Sequence, residues 1–172
     1  VWHYQRLALR AKVRMVFLDQ RSHGLSGRSH VDNSSIDHLG DDLHTVIKEL
    51  APRGPIILVG HSLGGMAIME LAAAHPDLFG KRVRGVVLVA TSSGKLARTS
   101  PALRRLIPLV RVASPVLDWG RAFNSYSVIR RWGLGPHALE RHVDMTNEMI
   151  LQAPTHVLMD FSPLFLDLDL DH

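Results

Sequence analysis

The sequence predicts an α/β fold, mainly a parallel sheet flanked by helices and followed by a helical insertion. Three observations carry this. Short apolar runs alternate with helix-patterned segments over the first half of the chain. The apolar runs are near-continuous rather than alternating, as in strands buried on both faces. From Thr91 onward the character changes to proline-punctuated, apolar and basic helical stretches.

The elements follow in order. Trp2 to Ala11 has the pattern of an amphipathic helix and leads into Val13-Arg-Met-Val-Phe-Leu18, a short run rich in strand formers that reads as a buried strand. Asp19 to Gly27 is a loop by its glycine and serine content. Ser34 or Ser35 is positioned to cap a helix through Ile36, Leu39, Leu43, Val46, Ile47 and Leu50, which Pro52 and Gly54 stop. A second strand, Ile56 to Val59, runs straight into Gly60-His61-Ser62-Leu63-Gly64 and a helix to about Ala74, ending near His75-Pro76. A third apolar run spans Val83 to Ala90. Pro101, Pro108, Pro115 and Pro136 then divide a region containing Trp119, Phe123, Tyr126 and Trp132, which reads as an inserted helical cap. We assign residues 1–94 to the core, 95–160 to the cap and 161–172 to a segment returning toward the core. Leu166 to Asp171 alternates like a strand but reads as a boundary.

Composition narrows the chemistry. The 172 residues, 46% of them hydrophobic, suffice for one domain with a substantial core. Cysteine is absent, which excludes disulfides, thiolate metal sites and cysteine nucleophiles. No apolar run approaches a membrane span, and Val1 to Arg14 resembles an amphipathic helix more than a signal peptide, so the chain reads as soluble and cytoplasmic. It opens at Val1 without methionine, which leaves room for an upstream segment. The net charge is +4, with eight cations between residues 95 and 131 against Asp118 alone. These arginines are interleaved with Leu103, Leu106, Ile107, Leu109 and Val110 at helical spacing, so they read as the solvated face of helices. No nucleic-acid module accompanies them. Binding of anionic lipid through residues 101–116 is a further possibility.

The chemistry centres on Gly60-x-Ser62-x-Gly64. A strand that reverses directly into a helix holds its turning residue in an unfavourable backbone conformation, and that residue is Ser62. Gly60 and Gly64 lack the Cβ atoms that would collide where strand and helix approach. The helix aims its free amides and positive end at Ser62, so the Leu63 N–H is the expected oxyanion donor. Ser62 is the candidate catalytic nucleophile, and Gly60, His61 and Gly64 complete its turn.

These residues resemble the α/β-hydrolase family. Gly60-His61-Ser62-Leu63-Gly64-Gly65 is similar to that family's nucleophile elbow, and Asp19-Gln-Arg-Ser-His-Gly-Leu-Ser26 to its Asp-x-Arg-Gly-x-Gly-x-Ser loop, with Ser22 where glycine is common. The resemblance covers about Trp2 to Ser93, and the cap by character only. It implies a serine esterase or lipase-like hydrolase acting on a small ester or acyl substrate, with no cofactor and no metal. A serine at the elbow argues against the family's dehalogenases and epoxide hydrolases, which use aspartate. The family's triad runs serine, acid, histidine along the chain. Here Ala90-Thr-Ser-Ser-Gly94 occupies the place where some members carry the acid, and no later strand, acid and histidine follow in succession. His61 reads as lining, His23 as structural, and His137, His142, His156 and His172 as unsuited to the base. The resemblance also implies a further strand lying in the sheet between Val13–Leu18 and Ile56–Val59 but earlier along the chain than either, whereas the sequence opens in the helix that would follow it. The expectation is therefore an internal piece of a longer hydrolase or a degenerate relative, and the alternative function is a non-catalytic, hydrolase-like binding protein.

Overall fold

The computed structural model describes residues 2–94, 101–135, 137–162, 164 and 168–170. The boundary stretch Leu166 to Asp171 is thus only partly described, and Pro136 and His172 lie outside the described residues.

Helix α1, His3–Leu9, buries none of its residues. Helix α2, Ile36–Leu50, begins at Ser35, whose hydroxyl accepts the His38 N–H at 3.4 Å and meets His38 Nδ1 at 2.7 Å. Of the two candidate caps, Ser35 is therefore the one used. Strand β1, Ile56–His61, enters helix α3, Leu63–Ala74, with Ser62 between them. Strand β2, Val83–Val89, pairs with β1 in parallel, Leu58 opposite Val86 and Gly60 opposite Leu88. The turn from α2 into β1 is clamped by Arg82, which donates to the carbonyls of Ala51, Pro52 and Gly54. The bond to Ala51 satisfies a carbonyl at the end of α2, and the other two hold the turn that follows.

The sheet has two strands among the described residues. The expected strand at Val13 to Leu18 does not form a ladder. Its residues run without helix or bridge, and Val13, Val16, Phe17 and Leu18 are exposed. A strand exists through its pairing, and among the described residues the edge of β1 away from β2 carries no neighbour. Apolar β-branched composition gave the segment its strand character; a partner was the missing condition.

Two apolar clusters hold the rest. Ile47 from α2, Leu58 from β1, Ile68 and Leu71 from α3, and Val83 from β2 form one, beneath the sheet. Ile36 and Leu39 of α2 join Met66 and Ala67 of α3 in the other, closed by Val157, Phe161, Leu164 and Leu168 from the far end of the chain. The C-terminal segment therefore packs against the first turns of α2 and α3, beside the elbow. It also meets the end of β2: Asp169 bridges Gly94, and Leu170 N–H donates to Ser93 O at 2.8 Å.

Beyond residue 100 the short helical stretches expected from the prolines are one helix, α4, Pro101–Val128, with Pro108 and Pro115 inside it. Each proline removes one ladder bond; the helix runs through both. A π-helical turn, Ile129–Leu134, and helices α5, Glu140–Leu151, and α6, Thr155–Asp160, follow. Asp118 ties α4 to α6 by accepting the Thr155 N–H at 2.8 Å, and Ser125 ties it to α5 through Asn147.

Candidate active site

Ser62 stands at the junction of β1 and α3 with φ 50° and ψ −119°. Such a conformation costs a non-glycine residue about 1–3 kcal/mol and persists only where its surroundings impose it. They do so from several sides. Ser62 N–H donates to Val89 O of β2 at 3.0 Å, and Ser62 O accepts from Gly65 N–H at 2.9 Å, Met66 N–H at 3.3 Å and the Thr91 hydroxyl at 2.7 Å. The Ser62 side chain makes no capping bond to the helix it precedes. A serine in that position ordinarily satisfies an N-terminal amide; here the residue is partly exposed and its hydroxyl has no hydrogen-bond partner among the described residues. Leu63 and Gly64 open α3, so their N–H groups have no acceptor in the helix, and they carry its partial positive charge.

The glycines divide differently from the sequence expectation. A methyl group on Gly60 would lie 2.5–2.6 Å from the backbone of Gly64 and Gly65, so close approach of strand to helix does demand glycine there. Gly64, expected to be needed for the same reason, has room: the nearest neighbour to an added Cβ is Gln20 Nε2 at 3.9 Å, ordinary contact. The tight second position is Gly65, where a Cβ would stand 2.6–2.7 Å from the Thr91 side chain. The turn brings the second glycine of the pair against the segment that follows β2, a relation that linear spacing does not contain.

The loop Asp19 to Ser26 is rigid for identifiable reasons. Asp19 Oδ2 accepts the Leu25 N–H at 3.1 Å, and the Ser26 hydroxyl donates to Asp19 O at 2.7 Å. Gly24, at φ 49°, sits directly over the Asp19 carboxylate, leaving no space for a side chain. Ser22 adopts φ 65°, the left-handed conformation that favours glycine. It is compensated by burial and by its hydroxyl, which accepts the Ser29 N–H at 2.9 Å. Arg21 fastens the loop to α2: Nε and Nη2 each donate to Asp42 at 2.7 Å, while Nη1 and Nη2 reach Asn33 O and His38 O. The hydrogen bond to Asp42 raises the Arg21 pKa, against the opposing effect of burial. Next to it, Gln20 points its amide toward Gly64, and its buried Oε1 has no hydrogen-bond partner among the described residues.

The histidines stay away from the Ser62 hydroxyl, and among the described residues it has no imidazole partner. His61 lies on the exposed face of β1. His23 donates from Nδ1 to Arg21 O at 2.9 Å, with its ring against Phe161 at 5.3 Å. His142 stacks edge-on with Tyr4, and His137 and His156 are exposed.

The α/β-hydrolase family's sequence profile matches residues 1–169. The chain belongs to that family. Among curated relatives, an epoxide hydrolase of Caenorhabditis elegans is 36% identical over 83 residues, covering 48% of this chain and 20% of its own length. The 2-(acetamidomethylene)succinate hydrolase of Mesorhizobium japonicum is 43% identical over 74 residues, covering 43% of this chain and 24% of the relative. An esterase of Mycobacterium tuberculosis is 33% identical over 116 residues, covering 59% and 39%. The chain thus spans well under half the length of these relatives. Among solved structures, a thermophilic esterase from Thermogutta terrifontis, with malate bound, superposes with a TM-score of 0.68 at 22% identity, over 98% of this chain and 59% of the esterase. At that identity the likeness is one of fold. These relatives are named as hydrolases and an esterase.

Proposed function

We propose that this chain carries the nucleophile of a serine hydrolase for carboxylic esters or related acyl substrates, and that Ser62 is that nucleophile. The observation that carries the reading is the backbone of Ser62: a strained serine between strand and helix, its hydroxyl uncommitted and the first amides of α3 beside it. Ser62 Oγ attacks the acyl carbon, and the Leu63 N–H stabilises the developing oxyanion. The proton of the Ser62 hydroxyl leaves with the substrate's alkoxide as an alcohol, and water later cleaves the acyl-serine ester to the free acid and restores the hydroxyl. Among the relatives, those named esterases and the succinate-derivative hydrolase support this class over epoxide opening, because a serine ester is readily hydrolysed and Ser62 supplies one. Gly60, His61 and Gly64 shape the turn, with the steric demand strongest at Gly60. Residues 95–160 form a cap over the site in this reading, and 161–172 return to the core.

A p-nitrophenyl acetate burst tests it. One equivalent of p-nitrophenolate per chain, abolished by Ser62→Ala, is the expected result. A second reading, a hydrolase-like binding protein without turnover, is favoured by one observation: no histidine among the described residues partners the Ser62 hydroxyl. A folded chain that releases no p-nitrophenolate above the Ser62→Ala background, neither as a burst nor as turnover, supports that reading and overturns the first.

A further inference from the structure

The end of β2 does more than terminate a strand. Ala90, directly after it, takes φ 46°, a left-handed conformation rare for a residue with a Cβ. This turns Thr91 beneath the elbow. The Thr91 hydroxyl donates to Ser62 O at 2.7 Å, and its methyl and hydroxyl press on Gly65, where even a Cβ would come within 2.6 Å. Ser62, Gly65 and Thr91 therefore interlock: the strained residue, the helix turn after it and the strand end under both.

We propose that Thr91 is the positioning residue of the nucleophile, holding Ser62 in its strained conformation and the Leu63 N–H in line through the hydrogen bond to Ser62 O. Thr91 touches no reacting atom. It acts by fixing the carbonyl of Ser62, which sets the plane of the Ser62–Leu63 peptide and so the direction of the Leu63 N–H. Val89 O on the Ser62 N–H fixes the preceding peptide in the same way, so both peptide planes flanking the serine are anchored to β2 and the segment after it. Loss of the hydroxyl leaves the Ser62 carbonyl held only by the Gly65 and Met66 N–H groups of its own helix, removes its tie to the segment after β2, and lets the elbow relax so that the Ser62 side chain and the Leu63 N–H lose their alignment.

The inference rests on Ser62 being the activated group, and the native chain has no cysteine, so a single introduced thiol reports on the site alone. In Ser62→Cys the rate of alkylation by iodoacetamide is measured against pH, alone and combined with Thr91→Val, Thr91→Ser and Thr91→Ala. Helix N-termini lower thiol pKa values from about 8.5 to between about 3.5 and 7.5. The expected result is a lowered value in Ser62→Cys and in its Thr91→Ser combination. A return toward about 8.5 is expected with Thr91→Val, read as an upward shift in the midpoint of the pH–rate profile; the rate at pH 7 falls with it only once the midpoint passes above 7. Thr91→Ala against Thr91→Ser compares the hydroxyl alone in smaller side chains, and decides the matter if Thr91→Val does not fold. An unlowered thiol in Ser62→Cys by itself overturns the activation of Ser62 and this inference with it. A lowered thiol that is the same with serine, valine or alanine at 91 overturns the role of Thr91 only.

Discussion

Leu58 and Ile57 are neighbours on β1 and have opposite surroundings. Leu58 is 9% exposed and packs with Ile47, Ile68 and Leu71 under α2 and α3; Ile57 is 68% exposed. The difference extends along the strand. On the face of Leu58, Gly60 admits α3 to backbone contact, whereas Ile57 and Val59 are open on the other face; the contrast belongs to β1, since on β2 Val86 and Leu88 are as exposed as Val87 and Val89. The candidate nucleophile is built at the end of the covered face, where an elbow can be strained because packing on several sides resists its relaxation. The Val13–Leu18 segment is apolar like β1 and forms no ladder, which shows that sequence character alone does not make a strand.

The strongest test of this contrast is at the glycines. Gly60→Ala and Gly65→Ala each force a Cβ to within about 2.6 Å of fixed neighbours, and each is expected to cost about 3 kcal/mol or more of stability, at the upper end of overpacking. Gly64→Ala, with its nearest neighbour at 3.9 Å, is expected to change stability by no more than about 0.5 kcal/mol, like an unconstrained surface site. Urea titrations of the three variants separate them. Next in size, Leu58→Ala removes a buried side chain and is expected to cost about 2–4 kcal/mol, while Ile57→Ala on the same strand costs under about 0.5 kcal/mol. Equal losses at 57 and 58 would mean that the two faces are equally covered in solution.

A smaller effect is expected where the loop meets α2. Arg21→Lys keeps the charge and loses the paired bonds to Asp42, for an expected cost of about 1–2 kcal/mol, because an ammonium cannot reproduce the planar fork. Differential scanning calorimetry reads it. The smallest effect lies between His44 of α2 and His75 after α3, whose tilted rings lie 3.8 Å apart. Partial burial, His75 and Lys48 lower the His44 pKa, outweighing Asp41 and Asp77. The folded chain then binds this proton less readily than the unfolded chain, so the stabilisation is complete above the ordinary histidine value of about 6.5 and is lost as pH falls through the lowered one. His44 keeps part of its surface in solvent, so a shallow acid-side decline in melting temperature is expected, flattened in His44→Gln.

Much of this was legible in residue order. The strand, turn and helix around Ser62 follow from an apolar run, small residues and helix formers in succession, all local signals. A serine cap at 34 or 35 and the stop before β1 are local too, while the choice of Ser35 came from the structure. The role of Gly65 was not legible, because its neighbour Thr91 lies far along the chain and comes close only when β2 lies beside β1. Nor was the fate of Val13 to Leu18, since a strand's existence depends on its neighbour. Ser22 is intermediate: its departure from glycine was visible, while the Ser29 amide that compensates its left-handed conformation was not. Proline positions overstated the breaks in α4, because a helix can accommodate a lost ladder bond where tertiary contacts such as Asp118 to Thr155 fix it.

Chemical modification decides whether the elbow activates Ser62. The folded chain is treated with a fluorophosphonate and the modified residue is mapped by peptide mass spectrometry. One phosphonylated site is expected, at Ser62, absent in Ser62→Ala. Modification spread over other serines, or none at all on a chain whose circular dichroism is intact, would overturn the activation of Ser62.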